Sequence, residues 1–412
     1  MNIKEKLNQL SKSKFRSSFH LNKKMINYVN DKGYDVIKIH AYDFVNQRLK
    51  YYDSIKDGKQ TPMKQVHPIF IAQHACACCC RKCLYKWHGI SLNKELTDEE
   101  VNYIVLVLMH WIRKEMNMER SKVYFTKEIS SDSLINIYEA LGVDLKGNVG
   151  VKVSTGESGS KGYLKANIIG PLVQKLNGTI IECNTAYPGK RNTQEEHLKV
   201  AKEHGFTSFA PVDIMDANGE FKIPVKNGKH LKYDIIGENF KKYDSIINLA
   251  HGKGHAMGGF GANLKNQSIG IASRNGKAYI HSCGKTDDPN KCWSVKYEQR
   301  DFIESMAEAA ASVSDYLNEN NKQIIYITVM NALSVDCDCD ANQGDPVMSD
   351  LGIVASLDPV ANDQAFIDMI WSSTENGSEK LRERVDRQEG RHITEYAQSI
   401  GLGTTNYELI EI

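Results

Sequence analysis

"RDFIESMAEAAASVSDYLNENNKQIIYITVM", residues 300–330, sets two textures side by side. Residues 300–319 follow a helical pattern, and 323–330 are a β-branched run that reads as a strand. The same alternation recurs from Val123 onward. "VYFT", "VGVKVS", "GTIIEC", "SIINLAHG", "KAYIHS" and "LGIVAS" read as further strands. "SLINIYEAL", "YLKANIIGPLVQKL" and "TQEEHLKVAKEHG" read as helices. Strands alternating with helices predict an α/β domain over 119–412, with a mainly parallel sheet and helices on both faces. In such sheets, ligands gather where strands end. The tail "YELIEI" reads as a closing edge strand.

Residues 1–118 have another character: a small, mostly helical module rich in Cys and His. "DVIKIHAYDFVNQRL" (35–49) and "TDEEVNYIVLVLMHWIRKEM" (97–116) read as its helices, with Thr97 and Glu100 forming a capping box. The polar stretch "NMERSK" (117–122) is the expected join.

A chain of 412 residues is too long for one ordinary core. Apolar content of 41% and charged content of 25% are those of a globular chain. A net charge of +1 gives no basic field for nucleic acid. No apolar run approaches a membrane span, and the N-terminus has no signal core. The expected compartment is therefore the cytoplasm. Reductants keep thiols free there, so ten cysteines read first as metal ligands or redox centres.

Half of them crowd into "HACACCCRKC" (74–83). Cys76 and Cys79 are spaced C-x-x-C, as are Cys80 and Cys83, and a turn of that kind lets two sulfurs face one ion. Arg81 and Lys82 are placed to favour thiolates. The plainer reading is a set of buried thiols at a helix start, and a disulfide is the remaining one, disfavoured by the compartment. "DGKQTPMKQVHPIFIAQHACACCCRKCLYKWHGI", with "KIHAYDFVNQRL" before it, resembles the family called domain of unknown function 4186, over roughly residues 15–116. That pattern matches His74, Cys79, Cys80, Arg81, Cys83, Trp87, His88 and Gly89, while Cys76 and Cys78 depart from it. The resemblance favours a metal set of Cys79, Cys80 and Cys83 with His74 and His88, and zinc is one candidate.

Two loops carry the second candidate site. In "NLAHGKGHAMGGFGANLKNQ" (248–267), His251 and His255 follow a strand, and Gly258, Gly259 and Gly261 allow close approach of a cofactor beside Asn266. In "VDCDCDANQGD" (335–345), Cys337 and Cys339 alternate with aspartates. On a strand end, both thiols would point one way and Asp338 the other. The thiols could share a metal with a histidine, and Asp338 could serve as acid or base. The plainer reading is an acidic, solvated loop.

"VKVSTGE", "ECNTAYPGKRNT", "HGKGHAMGGFGANLKN", "DCDCD" and "LGIVASLDPVANDQAFID" together resemble the family called domain of unknown function 362, often described as an iron–sulfur centre protein, over about 121–412. The ferredoxin insert of many members is missing: "HSCGKTDDPNKCWS" offers only Cys283 and Cys292. The resemblance implies a pocket built from Lys152, Glu157, Asn184, Tyr187, Arg191, His251, His255, Lys265, Asn266, His281, Cys337 and Cys339. Lys152, Arg191 and Lys265 would hold a small anionic substrate. Iron or an iron–sulfur cluster would sit on the thiols, with an electron-transfer partner outside. The expected function is a metal-dependent, redox enzyme. A metal-handling or sensing protein and a thiol-based enzyme without metal are the alternatives.

Overall fold

The computed structural model describes residues 3–51, 58–64, 66–92, 94–116, 120–226 and 228–412. It divides into two compact units, Met1–Glu119 and Arg120–Ile412. Residues 117–119 of the expected join lie outside the described residues.

The first unit is helical. Helices Tyr34–Leu49 and Asp98–Glu115 pack on one another around a core that includes Ile37, Val45, Ile104 and Leu108. Thr97 and Glu100 make the capping box. The cysteine segment spans two short helices, Pro68–Ala75 and Arg81–His88. Cys80 caps the second by accepting the backbone N–H of Cys83 at 3.4 Å.

The second unit contains twelve strands among its described residues. They are β1 (Ser121–Thr126), β2 (Val149–Lys152), β3 (Thr179–Glu182), β4 (Val212–Ile214), β5 (Glu220–Pro224), β6 (Tyr233–Gly237), β7 (Ser245–His251), β8 (Lys253–His255), β9 (Gly259–Gly261), β10 (Gln323–Met330), β11 (Gly352–Ser356) and β12 (Tyr407–Glu411). Eight form one sheet in the order β12-β1-β11-β10-β7-β2-β3-β4. Only β11 runs against the rest. Alternate residues of the inner strands feed opposite helix layers. Ile325, Ile327 and Val329 meet the layer of helices Ser131–Ala140 and Ala166–Lys175. Met330 and Val354 meet helices Gln299–Glu319 and Pro359–Ser372. Burial on both faces explains why these strands are continuous apolar runs.

The strand order positions the site. From β2 the chain moves to β3 and β4 on one side, then returns to β7 and β10 on the other. The crevice beyond the C-terminal ends of β2 and β7 is therefore a topological switch point, where an open α/β sheet leaves room for a ligand. Lys152 ends β2 and His251 ends β7.

"KAYIHS" is not a strand. It lies in helix Arg274–His281, capped by Ser273, whose side chain accepts the Gly276 N–H. Every residue from Gly276 to His281 is buried, so apolar periodicity carries no helical signal there. The hairpins β5–β6 and β8–β9, outside the main sheet, were not visible as strands.

The second hairpin fixes the cysteine loop. Gly254 donates its N–H to Ser334 O at 3.0 Å, and a Cβ on Gly254 would lie 2.1 Å from Val335 O. Gly254→Ala should destabilise the protein by about 1–3 kcal/mol through forced displacement of that loop. A denaturant midpoint equal to the wild type would show that the approach is not needed.

Candidate functional site

In the second unit, Lys152, Glu182, Arg191, His251, Lys253, Lys265, Lys277, His281, Cys337, Asp338 and Cys339 line one pocket. Glu157, Tyr187, His255 and Trp293 line its wider mouth, where Cys337, Cys339 and Lys265 appear again.

Glu182, at the end of β3, organises the inner wall. Its carboxylate accepts from Arg191 Nη1 at 2.9 Å, His197 Nε2 at 3.0 Å and the Thr155 hydroxyl at 2.7 Å. Burial opposes its charge, but Arg191 and His197 outweigh it and hold the carboxyl well below its usual range. Arg191 also donates to Tyr187 OH at 2.9 Å and lies 3.5 Å from Glu157. Lys152 donates to Val153 O and Asn266 Oδ1. Burial pushes it down to about 8 against the pull of Glu182, which suits it to proton transfer near neutral pH.

Asp338 braces the opposite wall. It accepts from His251 Nδ1 at 2.8 Å and pairs with Lys253 at 3.1 Å. Burial opposes its charge, and His251 and Lys253 bring its carboxyl below the usual range. His251 Nε2 meets Asn331 O at 2.8 Å, so both ring nitrogens face acceptors and neither is turned to the thiols. His255 Nδ1 accepts the Gly258 N–H at 2.8 Å. Burial and Lys265 hold His255 well below the usual imidazole range.

Cys337 and Cys339 lie in a turn after β10 rather than on a strand. They nevertheless meet: the Cys339 N–H donates to Cys337 Sγ at 3.4 Å, and the two thiols hydrogen-bond. The bond from Cys337 holds Cys339 well below the ordinary thiol range, with Lys265 and Arg191 countering burial. Lys265 is raised although burial opposes it, because Cys339, Cys337 and Asp338 face it. Among the described residues, its ammonium has no hydrogen-bond or ion-pair partner in the protein. His281 shares the pocket with an unpartnered buried Nδ1 and stacks on Phe302 at 5.0 Å.

Four expected roles need correction. Gly258 and Gly259 face Met306, Gly390 and Val385 rather than the pocket; only Gly261 lies on its wall, leaving room for Lys265. Asn266 spends its amide bridging Lys152 O, Asn248 Oδ1 and Lys152 Nζ, which orients Lys152 and leaves no free donor for a cofactor. Asn184 holds Asp216 and does not line the pocket. His251 and His255 do not join Cys337 and Cys339 in any group of three ligand atoms among the described residues. Glu182, Lys253 and Lys277 went unnoticed in the sequence. The signal for Glu182 was a charge ending an apolar strand.

In the first unit, the sulfurs of Cys79, Cys80 and Cys83 all lie within 4.8 Å of one another, a group that could hold a metal ion. Cys79 and Cys83 are 3.6 Å apart. The neighbouring cation is Arg16, which donates to Cys83 Sγ at 3.2 Å and Cys79 Sγ at 3.7 Å. Hydrogen bonds from Cys79 and Cys80, and then Arg16, push the Cys83 thiol far down. Arg81 does not take this part: it is buried and donates to carbonyls including Leu49 O and Ser91 O. His74 Nε2 meets Pro62 O, and His88 meets Tyr103 OH and Cys76 O. Neither histidine joins the trio, and each is held by partners of its own. Cys76 and Cys78 are core residues, with Cys78 beside His88 rather than the trio.

A further group, His230, Asp301 and Glu304, is bound up internally: Glu304 already accepts from Lys229, His230 and His392.

The fold and this pocket define an α/β protein with a cationic, thiol-bearing cleft at the sheet's switch point. The chain belongs to the family described as Domain of unknown function (DUF362), whose profile matches residues 149–368. Residues 4–113 match the family described as Domain of unknown function (DUF4186). Among solved structures, it is similar to the lactate racemase apoprotein from Thermoanaerobacterium thermosaccharolyticum, at 12% identity and a TM-score of 0.35, covering 61% of this chain and 57% of that one. A Thermotoga maritima protein from a structural genomics programme matches at 12% identity and a TM-score of 0.31, covering 66% and 59%. The chain thus spans under two thirds of the length of either. No helix among the described residues is long and apolar enough to cross a membrane.

A depressed Cys339 thiol stays ionised below the ordinary thiol range of about 8.5, so iodoacetamide should label it readily at about pH 6. Lys265→Met should shift the pH profile of that labelling up by about one unit, slowing it up to about tenfold on the acid limb and little at pH 9. Equal labelling of Cys339 and buried Cys183 at pH 6 would show that the cations do not act on this thiol.

Proposed function

We propose that the second unit is a redox enzyme that acts on a small anionic substrate through the Cys337–Cys339 dithiol. The observation that carries this reading is the Lys265 ammonium, which lines one pocket with two half-buried cysteines and, among the described residues, has no carboxylate or hydrogen-bond partner. A small carboxylate, sulfate or phosphate group fits that place, with Arg191 on the adjoining wall. Cys339 is the nucleophilic thiolate, and Cys337 donates the hydrogen bond that steadies it. Lys152 gives or takes a proton, and Asp338 positions His251 and Lys253.

The reducible group of the substrate is a disulfide: the Cys339 thiolate attacks one sulfur and expels the first thiol, Cys337 then displaces the mixed disulfide and expels the second, and the Cys337–Cys339 disulfide that forms has given up two electrons. A thiol reductant outside the chain would then restore the dithiol, which is the electron-transfer partner this chemistry asks for. A cytoplasmic setting, where reductants keep thiols free, suits this chemistry.

Iron–sulfur clusters are held by four protein ligands, commonly thiolates. Cys337 and Cys339 stand without a third Cys, His, Asp or Glu ligand atom close to both among the described residues. The donor set does not fit such a cluster.

Anions at about 1 mM, the upper end of ordinary KM values, should protect Cys339 from iodoacetamide. Lys265→Met should remove the protection, and oxidised glutathione should produce a Cys337–Cys339 disulfide detectable by mass spectrometry. If no carboxylate, sulfate or phosphate protects Cys339 and no disulfide forms, this reading is wrong.

A further inference from the structure

The first unit holds a sulfur centre that the anion pocket does not use. We infer that Cys79, Cys80 and Cys83 form a three-thiolate site for a monovalent, thiophilic metal ion of the cuprous class, with Arg16 bonded to two of the sulfurs. An ion about 2.3 Å from three sulfurs in a plane spaces them ~4.0 Å apart. The three sulfurs all lie within 4.8 Å of one another, and Cys79 and Cys83 are 3.6 Å apart.

Local structure creates the cluster. Cys80 is the N-cap of helix Arg81–His88, and Cys83 is the third residue of that helix, its N–H bonded to Cys80 Sγ. Cys79 precedes the cap and reaches the same point from the outside of the turn. This explains how the adjacent residues Cys79 and Cys80 serve one centre, although neighbouring side chains ordinarily diverge.

Coordination number selects the ion. Structural zinc sites take four protein ligands. Here the fourth is missing among the described residues: the group contains three sulfurs, and His74 and His88 are committed to Pro62, Tyr103 and Cys76. Three soft thiolates suit a monovalent copper-type ion. Charge does not choose the ion. Cys79 and Cys80 are buried and Cys83 is half-buried, so three thiolates there need compensation. Arg16 and a monovalent ion offset two of the three negative charges, and the soft three-donor set rather than neutrality makes the choice. A guanidinium has no lone pair to offer, so Arg16 is a positioning residue that hydrogen-bonds to the ligands. Binding moves no electrons: the ion enters as the monovalent species, and thiol protons leave to solvent.

The test is an oxygen-free titration of the full chain with cuprous ion held by a bathocuproine-type chelator, whose loss of colour reports transfer. One equivalent should transfer to the wild type and equally to Cys337→Ser/Cys339→Ser, which leaves the other thiol pair out of the measurement. Cys79→Ser, Cys80→Ser and Cys83→Ser should each weaken uptake at least tenfold. Arg16→Gln should speed metal loss to the chelator while leaving one equivalent bound. Uptake that survives all three serine variants, or that vanishes with Cys337 and Cys339, overturns the assignment. If the serine variants do not fold, X-ray absorption of the loaded wild type decides. Three sulfurs at one distance with no nitrogen support the site; two sulfurs, or a nitrogen ligand, refute it.

Discussion

Buried positive charge is the constraint around which the second unit is arranged. Lys152, Arg191, Lys253, Lys265 and Lys277 all line one pocket. Burying an ion away from water is costly unless it is paired. Glu182 answers Arg191, and Asp338 answers Lys253. Lys152 and Lys277 lean on the carbonyls of Val153 and Ala272. Lys265 has no carboxylate paired to it among the described residues, and Cys339 and Cys337 are the charges nearest to answering it. The thiolate on Cys339 and the charge on Lys265 sustain each other, and an entering anion would share the same field.

Strand order explains why these groups meet. Lys152, Glu182 and His251 end three parallel strands, so their side chains emerge at one edge of the sheet. The cysteine loop follows β10, the neighbour of β7, and is fastened by Gly254 of the β8–β9 hairpin. Residues far apart in sequence thus converge without a long structureless crossing. The pairing of β11 against its neighbours does not disturb this edge, since it lies beyond β10.

Much of this was legible in the sequence. The inner strands are buried on both faces, and such strands announce themselves as unbroken apolar runs. The grouping of Lys152, Arg191, Lys265, Cys337 and Cys339 could be named, but the partners of each could not. Asn266 and Asp338 differ from surface polar residues only through their contacts, and those depend on the sheet order. Periodicity failed where burial was complete, as from Gly276 to His281. It also misled at "DCDCD", where a turn brings the two thiols together as a strand would have done. Glycines were over-read: the space at Gly258 and Gly259 is taken by the protein's own side chains and backbone. Arg16 could not be found from the cysteine segment, because its guanidinium reaches the sulfurs from 63 residues away in sequence.

The two sulfur centres illustrate how surroundings divide the chemistry of one element. At Cys337 and Cys339, the nearby cations are a lysine and an arginine on the walls of an open cleft, and two sulfurs are too few to enclose an ion. That environment keeps a thiolate available to an incoming molecule. At Cys79, Cys80 and Cys83, the sulfurs face one another across a helix N-cap, and the nearby guanidinium hydrogen-bonds to them from outside. A third sulfur adds a further soft donor to those that converge on one thiophilic cation. On the two proposals made above, the same functional group reacts in the second unit and ligates in the first.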